Sequence, residues 1–147
     1  MKKNEFFPAD LVLLATSEPK NMCSVETKNL DGETSLKFKI APKELQTFID
    51  EIALTQQFEG QLTCESPNDQ IYKFDGLIKT GSGQKISLSH DNFLLRGSSL
   101  RQTDWIIGVV TYTGHDTRIM RNSVNSKQKF SNLEKLITKS ILIIFLI

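Results

Sequence analysis

Cysteine is scarce in this chain of 147 residues: Cys23 and Cys64 are the two present, and neither sits in a C-x-x-C or Cys/His ligand spacing. A disulfide-built scaffold has no raw material here, and buried thiols in a reducing compartment are expected instead. Histidine is equally sparse. His90 and His115 are 25 positions apart in polar turn contexts, short of the three or four ligands a stable metal site needs. An excess of one charge is also missing, because 18 Lys and Arg stand against 17 Asp and Glu for a net charge of +1. No domain-wide cationic field exists to hold a polyanion, so no nucleic-acid partner is expected. Walker loops are absent, and the glycines of Thr80-Gly81-Ser82-Gly83-Gln84 are too few and too irregular for a dinucleotide fingerprint, which leaves a flexible connection without chemistry. Lys2 and Lys3 precede no uninterrupted apolar stretch before Pro8 and Asp10, so the N-terminus carries no secretory signal.

What the chain does contain is an ordinary globular mixture, 39% apolar and 24% charged, enough to fold one domain over most of its length. Leu11 to Ala15 is an apolar run after a Pro8-Ala9-Asp10 turn, and Leu36-Lys37-Phe38-Lys39-Ile40 alternates strictly, the pattern of a half-buried strand. After Pro42, Leu45, Phe48, Ile49, Ile52 and Ala53 recur at offsets of three and four and predict an amphipathic helix. Gln61–Cys64 and Ile71–Phe74 flank Ser66-Pro67-Asn68-Asp69 and predict a hairpin. Phe93–Gly97 and Trp105–Thr113 read as further strands, with Gly108 a bulge or close-packing point and Gly114 the end of the second. Arg118–Ser126 is open between a short helix and a loop, and no internal repeat is visible. The local reading is one mostly antiparallel β domain.

The C-terminus is different in kind. Ser131-Asn132-Leu133-Glu134 has the form of a capping box, and the stripe Leu133, Leu136, Ile137, Ile141 broadens into an all-apolar Ile141–Ile147. Seven apolar residues cannot cross a hydrocarbon core that needs about 20 helical ones. They read as the start of a spanning helix, preceded by six basic residues from Arg118 to Lys139 against the single acid Glu134, the bias of a cytoplasmic flank. A C-terminal core helix with a solvated basic stretch is the alternative. A fragment of a longer chain is expected on the first reading.

One short constellation carries chemistry. In Asn29-Leu30-Asp31-Gly32-Glu33-Thr34-Ser35 a glycine separates two carboxylates just before a predicted strand. In isolation this is a turn, since Asp-Gly is a common hairpin signal. The same residues suit a tetrahedral anion: Gly32 lets backbone approach it, Thr34 offers a hydroxyl, and Glu33 is able to orient or deprotonate a water.

The surrounding pattern decides between these readings. Glu5-Phe6-Phe7-Pro8-Ala9-Asp10-Leu11-Val12-Leu13-Leu14, Ser17-Glu18-Pro19, Val25-Glu26-Thr27 and Asn29-Leu30-Asp31-Gly32-Glu33-Thr34 resemble the phospholipid-translocating P-type ATPases of type IV, the lipid flippases. Pro67-Asn68, Tyr72-x-Phe74-x-Gly76, Asn92-x-Leu94-Leu95-Arg96-Gly97-x-x-Leu100-Arg101-x-Thr103 with Trp105, Tyr112-Thr113-Gly114-His115-Asp116-Thr117 and the stretch from Lys129 through Ser131 to Glu134 continue it in register along nearly the whole chain.

The resemblance implies a mainly β fold, a distorted jelly-roll actuator domain with one amphipathic helix over residues 1–130. Residues 131–147 would be a juxtamembrane segment and the start of a truncated C-terminal transmembrane helix. It implies that Glu33 positions and activates the water that attacks an aspartyl phosphate in a separate domain, with Asp31, Gly32 and Thr34 shaping the loop. ATP and Mg are bound outside this chain in the full-length pump, and no cofactor or metal is expected within it. The implied partners are the phosphorylation domain of the same pump and a membrane phospholipid, with an accessory subunit as a further candidate. The implied setting is an integral membrane protein with this segment on its cytosolic face. Asp31 stands where cation pumps usually have Thr, which favours the lipid branch. Ser35, Gln102 and Thr138 depart from the Asn common at those positions, so docking contacts need not match a typical member. No phosphorylation segment or nucleotide domain is in the chain, so it is not expected to pump alone. A catalytically silent, truncated, membrane-associated actuator acting as a binding module is the alternative.

Overall fold

A computed structural model describes residues 1–48, 59–124 and 132–146. In chain order the elements are β1 (Asp10–Thr16), β2 (Met22–Glu26), α1 (Lys28–Asp31), β3 (Lys37–Ile40), β4 (Gly60–Cys64), β5 (Gly76–Thr80), β6 (Lys85–Leu88), β7 (Phe93–Leu94), β8 (Ser99–Arg101), β9 (Ile106–Tyr112), α2 (Arg118–Val124) and α3 (Asn132–Leu146). Among the described residues the strands form three antiparallel sheets, in the orders β7-β1-β9, β3-β2-β8 and β4-β5-β6.

All seven residues of β1 are buried, which explains why its sequence is a continuous apolar run rather than an alternating one. Successive side chains leave opposite faces of a strand, so β1 feeds two cores at once. Val12 and Leu14 pack with Phe74, Ile78, Ile86 and Phe93. Leu11 and Leu13 pack with Phe7, Cys23, Val25 and Leu100 on the other side. Gly108 lies opposite Leu13 in the β1–β9 ladder, and a Cβ there would meet the Val12 carbonyl oxygen at 3.0 Å. The close-packing role expected of this glycine is what the structure shows.

Four expectations need correction. The hairpin partner of β4 is Gly76–Thr80, with Cys64 opposite Gly76, and not Ile71–Phe74. Phe74 instead turns into the core and stacks on Phe93 with ring centroids 4.3 Å apart. Thr80–Gln84 is the tight β5–β6 turn, closed by Thr80 N–H donating to the Gln84 carbonyl at 2.9 Å. The amphipathic helix after Pro42 is a 3-10 helix over Lys43–Phe48 with Leu45 buried, while its predicted continuation through Ile49, Ile52 and Ala53 lies outside the described residues. Finally, the start of a transmembrane helix is not supported. α3 has 15 residues, about 22 Å at 1.5 Å per residue, and among the described residues no helix is long and apolar enough to cross a membrane. Leu136, Ile137 and Ile141–Phe145 on α3 are nevertheless exposed. Ser131 of the predicted capping box falls outside the described residues.

Candidate functional site

β2 leaves the sheet at Glu26, and the chain coils into the single turn α1 before re-entering as β3, antiparallel to β2 with Val25 opposite Lys37. The loop between them carries Asp31, Gly32, Glu33 and Thr34. α1 is closed by Gly32, which adopts φ 75° and donates its N–H to the Lys28 carbonyl at 3.0 Å. A side chain rarely tolerates that left-handed conformation, so glycine is required by the backbone here and not by any neighbour.

Asp31 is the organiser of the loop. Its carboxylate accepts the Thr27 hydroxyl at 2.9 Å and the Glu33 backbone N–H at 3.0 Å, and Lys37 Nζ lies 2.5 Å from Oδ2. The Lys37 hydrogen bond leads in holding its pKa down to about 2, well below the usual carboxylate range, while Lys37 is raised in return, chiefly by Asp31. Glu33 is held less tightly. Its carboxylate sits 3.2 Å from the same Lys37 Nζ, yet 57% of its side chain is exposed, against 18% for Asp31. Thr34 is exposed beside it. The structure thus brings Asp31, Gly32, Glu33 and Thr34 onto one loop and separates their parts: Asp31 and Gly32 shape it, and Glu33 projects from it.

Thr27 and Lys37, which complete this arrangement, were not singled out as site residues by the sequence. The one signal for Lys37 is its position four residues after Glu33, with a charge opposite to both carboxylates. Arg101 and Thr103 of the other motifs serve the scaffold. Arg101 donates to Glu26 at 2.8 Å and to Asn4 at 2.6 Å, and the Thr103 hydroxyl accepts the Ser24 N–H at 3.2 Å. Neither histidine joins the loop. His115 is exposed, and His90 is half-buried with its Nδ1 enclosed and without a partner. Both cysteines are free thiols; Cys23 is buried, and burial pushes it up to about 12. Among the described residues no group of three or more His, Cys, Asp or Glu converges as a metal site would require.

The chain is 43% identical over 143 residues to "Phospholipid-transporting ATPase C887.12" of Schizosaccharomyces pombe, an alignment covering 97% of this chain and 11% of that protein. By sequence it corresponds to a segment of the phospholipid-transporting ATPases. "Phospholipid-transporting ATPase DRS2" of Saccharomyces cerevisiae is 40% identical over 145 residues, 99% of this chain and 11% of its own length. "Probable phospholipid-transporting ATPase 12" of Arabidopsis thaliana is 45% identical over 146 residues, 99% of this chain and 12% of its own length. No family model matches the chain. The chain spans about a ninth of the length of the curated relatives it matches.

Proposed function

We propose that residues 1–130 are the actuator domain of an ATP-driven phospholipid flippase, and that Glu33 activates the water that hydrolyses an aspartyl phosphate held in another domain of that protein. The observation that carries this reading is the division of labour in the loop: one carboxylate locked by three partners, and a second projecting beside it with most of its surface exposed. Three antiparallel sheets packed on two cores support a jelly-roll-like actuator, a rigid body able to present that loop. The relatives' names support the lipid substrate and an ATP-driven pump.

In this reading the domain docks with the phosphorylated one, and Glu33 accepts a proton from a water. The water oxygen attacks phosphorus, the bond from phosphorus to the acyl oxygen breaks, and an aspartate carboxylate and inorganic phosphate remain. Carrying the base on a separate module delays this step until docking, so that the acyl phosphate survives while lipid is loaded. Asp31 acts as a positioning residue through the Glu33 backbone N–H, Gly32 gives the turn, and Thr34 offers a hydroxyl to the phosphate. Lys37 has to yield or share Glu33 when the loop engages. ATP and Mg are bound by the rest of the pump, an integral membrane protein with this segment on the cytosolic side. Its phosphorylation domain and a phospholipid are the partners, with an accessory subunit a further one. Glu33→Gln in the full-length protein tests the assignment: the phosphoenzyme formed from ATP persists, and decay at the unmodified rate would defeat it.

A further inference from the structure

The strand before the third sheet is turned over relative to its sequence pattern. In β3 the apolar Phe38 and Ile40 are 61% and 39% exposed, and Lys39 between them is buried with 8% of its surface accessible. Its side chain lines a partly open cleft of about 90 Å³ beside the Asp31 loop, walled mainly by Leu30, Ile71, Tyr72 and Leu94. Within the cleft the Lys39 ammonium donates to the His90 carbonyl at 2.7 Å and, among the described residues, forms no ion pair with a carboxylate. Lys37, by contrast, is engaged by both Asp31 and Glu33.

We propose that Lys39 is a covalent capture site for small apolar aldehydes, which enter this cleft and are held on its amine as an imine. The inference is independent of the role proposed for Glu33, since it concerns a different side chain and a different reaction.

An amine surrounded by apolar walls loses its proton easily, because burial penalises the charged form. Lys39 is brought down to about 8, first by burial and further by Lys37, with the Asp91 carboxylate acting in the opposite direction; the nearby Cys23 thiol, pushed up to about 12, is uncharged in this range. His90, itself lowered by burial, lines the same cleft, as do Asp31 and Tyr72. At pH 7.5 roughly a quarter of such an amine is neutral, against about 0.1% for an ordinary lysine, an advantage of about 200-fold in nucleophile. The nitrogen lone pair adds to the carbonyl carbon. Both nitrogen-bound hydrogens then leave with the carbonyl oxygen as one water, a carbon–nitrogen double bond replaces the carbon–oxygen one, and hydrolysis reverses the sequence. Nothing is oxidised or reduced. The walls favour an alkyl chain on the aldehyde. Lys37, which also lines the cleft, is already paired with Asp31 and Glu33, so it offers no free cation to select a carboxylate-bearing aldehyde.

The test uses the intact 147-residue chain. It is incubated separately with hexanal and with glyoxylate from pH 6 to pH 10, trapped with borohydride, and mapped by peptide mass spectrometry with the exposed Lys2, Lys3 and Lys20 as internal references. The expected result is hexanal labelling of Lys39 at least about tenfold above those lysines at pH 7.5, with a midpoint near 8 and a preference for hexanal over glyoxylate that the reference lysines lack. Asp91→Asn should move that midpoint downward, because the Asp91 charge favours the ammonium. Labelling of Lys39 at or below the references, a midpoint in the ordinary lysine range, a preference for glyoxylate, or an unmoved midpoint in Asp91→Asn would each overturn the proposal.

Discussion

The carboxylate of Asp10, at the first residue of β1, accepts the backbone N–H of Arg118, at the first residue of α2, at 2.8 Å across 108 positions of sequence. Its other oxygen accepts the Arg96 N–H, also at 2.8 Å. One buried side chain therefore fixes where the β7–β8 connection and α2 leave the β7-β1-β9 sheet. Arg118 extends the tie: its guanidinium reaches Glu65 at 2.6 Å and lies over the Tyr112 and Phe93 rings, while Tyr112 donates its hydroxyl to the Glu65 carbonyl at 2.6 Å. The β4-β5-β6 sheet is thereby fastened to the strands that hold the rest of the domain.

Asp10→Asn should be costly for that reason. An amide offers one acceptor oxygen where two N–H donors need two, and its NH2 confronts one of those donors in a site with no exposure. A loss of about 2 kcal/mol is expected in urea unfolding of the isolated chain, without a change in the slope of the transition.

Acid should act on the loop through Asp31 and not through Asp10. Asp31 titrates at about 2 when folded against 3.8 as its ordinary value, so it contributes stability above the unfolded value that is lost as pH falls from about 4 towards 2. Asp10 is shifted upward by burial. Its native form holds a proton to higher pH than the unfolded chain does, so acidification does not remove a contribution from it. Carboxyl-carbon NMR titration should show this opposite pair of displacements. Lys37→Met should bring Asp31 back towards its ordinary value while costing less than about 1 kcal/mol, as expected for a partly exposed ion pair.

Gly32→Ala isolates the backbone term. No atom lies within 4 Å of a Cβ built there, so the cost arises from the positive φ alone, about 1 kcal/mol, and Gly32→Asn should recover part of it. Thermal melts of the three proteins provide the comparison. Gln102 offers the inverse experiment. It holds φ 50° as a non-glycine and is exposed, and Asn tolerates that region better than Gln. Gln102→Asn should therefore stabilise the chain by about 0.5 kcal/mol.

Positions along the chain were more legible than orientations. The apolar run of β1 reports its burial on two faces directly, and the Asp31-Gly32-Glu33 turn announces itself through glycine between carboxylates. Alternation in Leu36–Ile40 placed β3 correctly, but period two does not say which set of side chains faces in. Apolarity alone would bury Phe38 and Ile40, and the fold buries Lys39 instead. Ile71–Phe74 has strand composition yet does not pair with β4, because Phe74 is committed to stacking on Phe93 from another part of the chain. Lys37 is a similar case. Its spacing of four from Glu33 is a local signal, but its pairing with Asp31 depends on β3 running back beside the turn.

Glu33 and Asp31 should separate cleanly when each is neutralised. Glu33 projects into solvent and supports little of the fold, so Glu33→Gln should leave unfolding within about 0.5 kcal/mol of the unmodified chain. In the full-length protein it should slow phosphoenzyme decay by about 100- to 10,000-fold, the range that a general base supplies. Asp31→Asn should do the reverse in proportion. It keeps an acceptor for the Glu33 N–H but loses the Lys37 ion pair, so the loop loosens, the protein loses measurable stability, and decay slows less than in Glu33→Gln. Paired urea curves and single-turnover phosphoenzyme decay on both variants decide the matter. If Asp31→Asn halted decay as completely as Glu33→Gln while leaving stability untouched, the two carboxylates would share the chemistry, and the assignment of Asp31 as a positioning residue would fail.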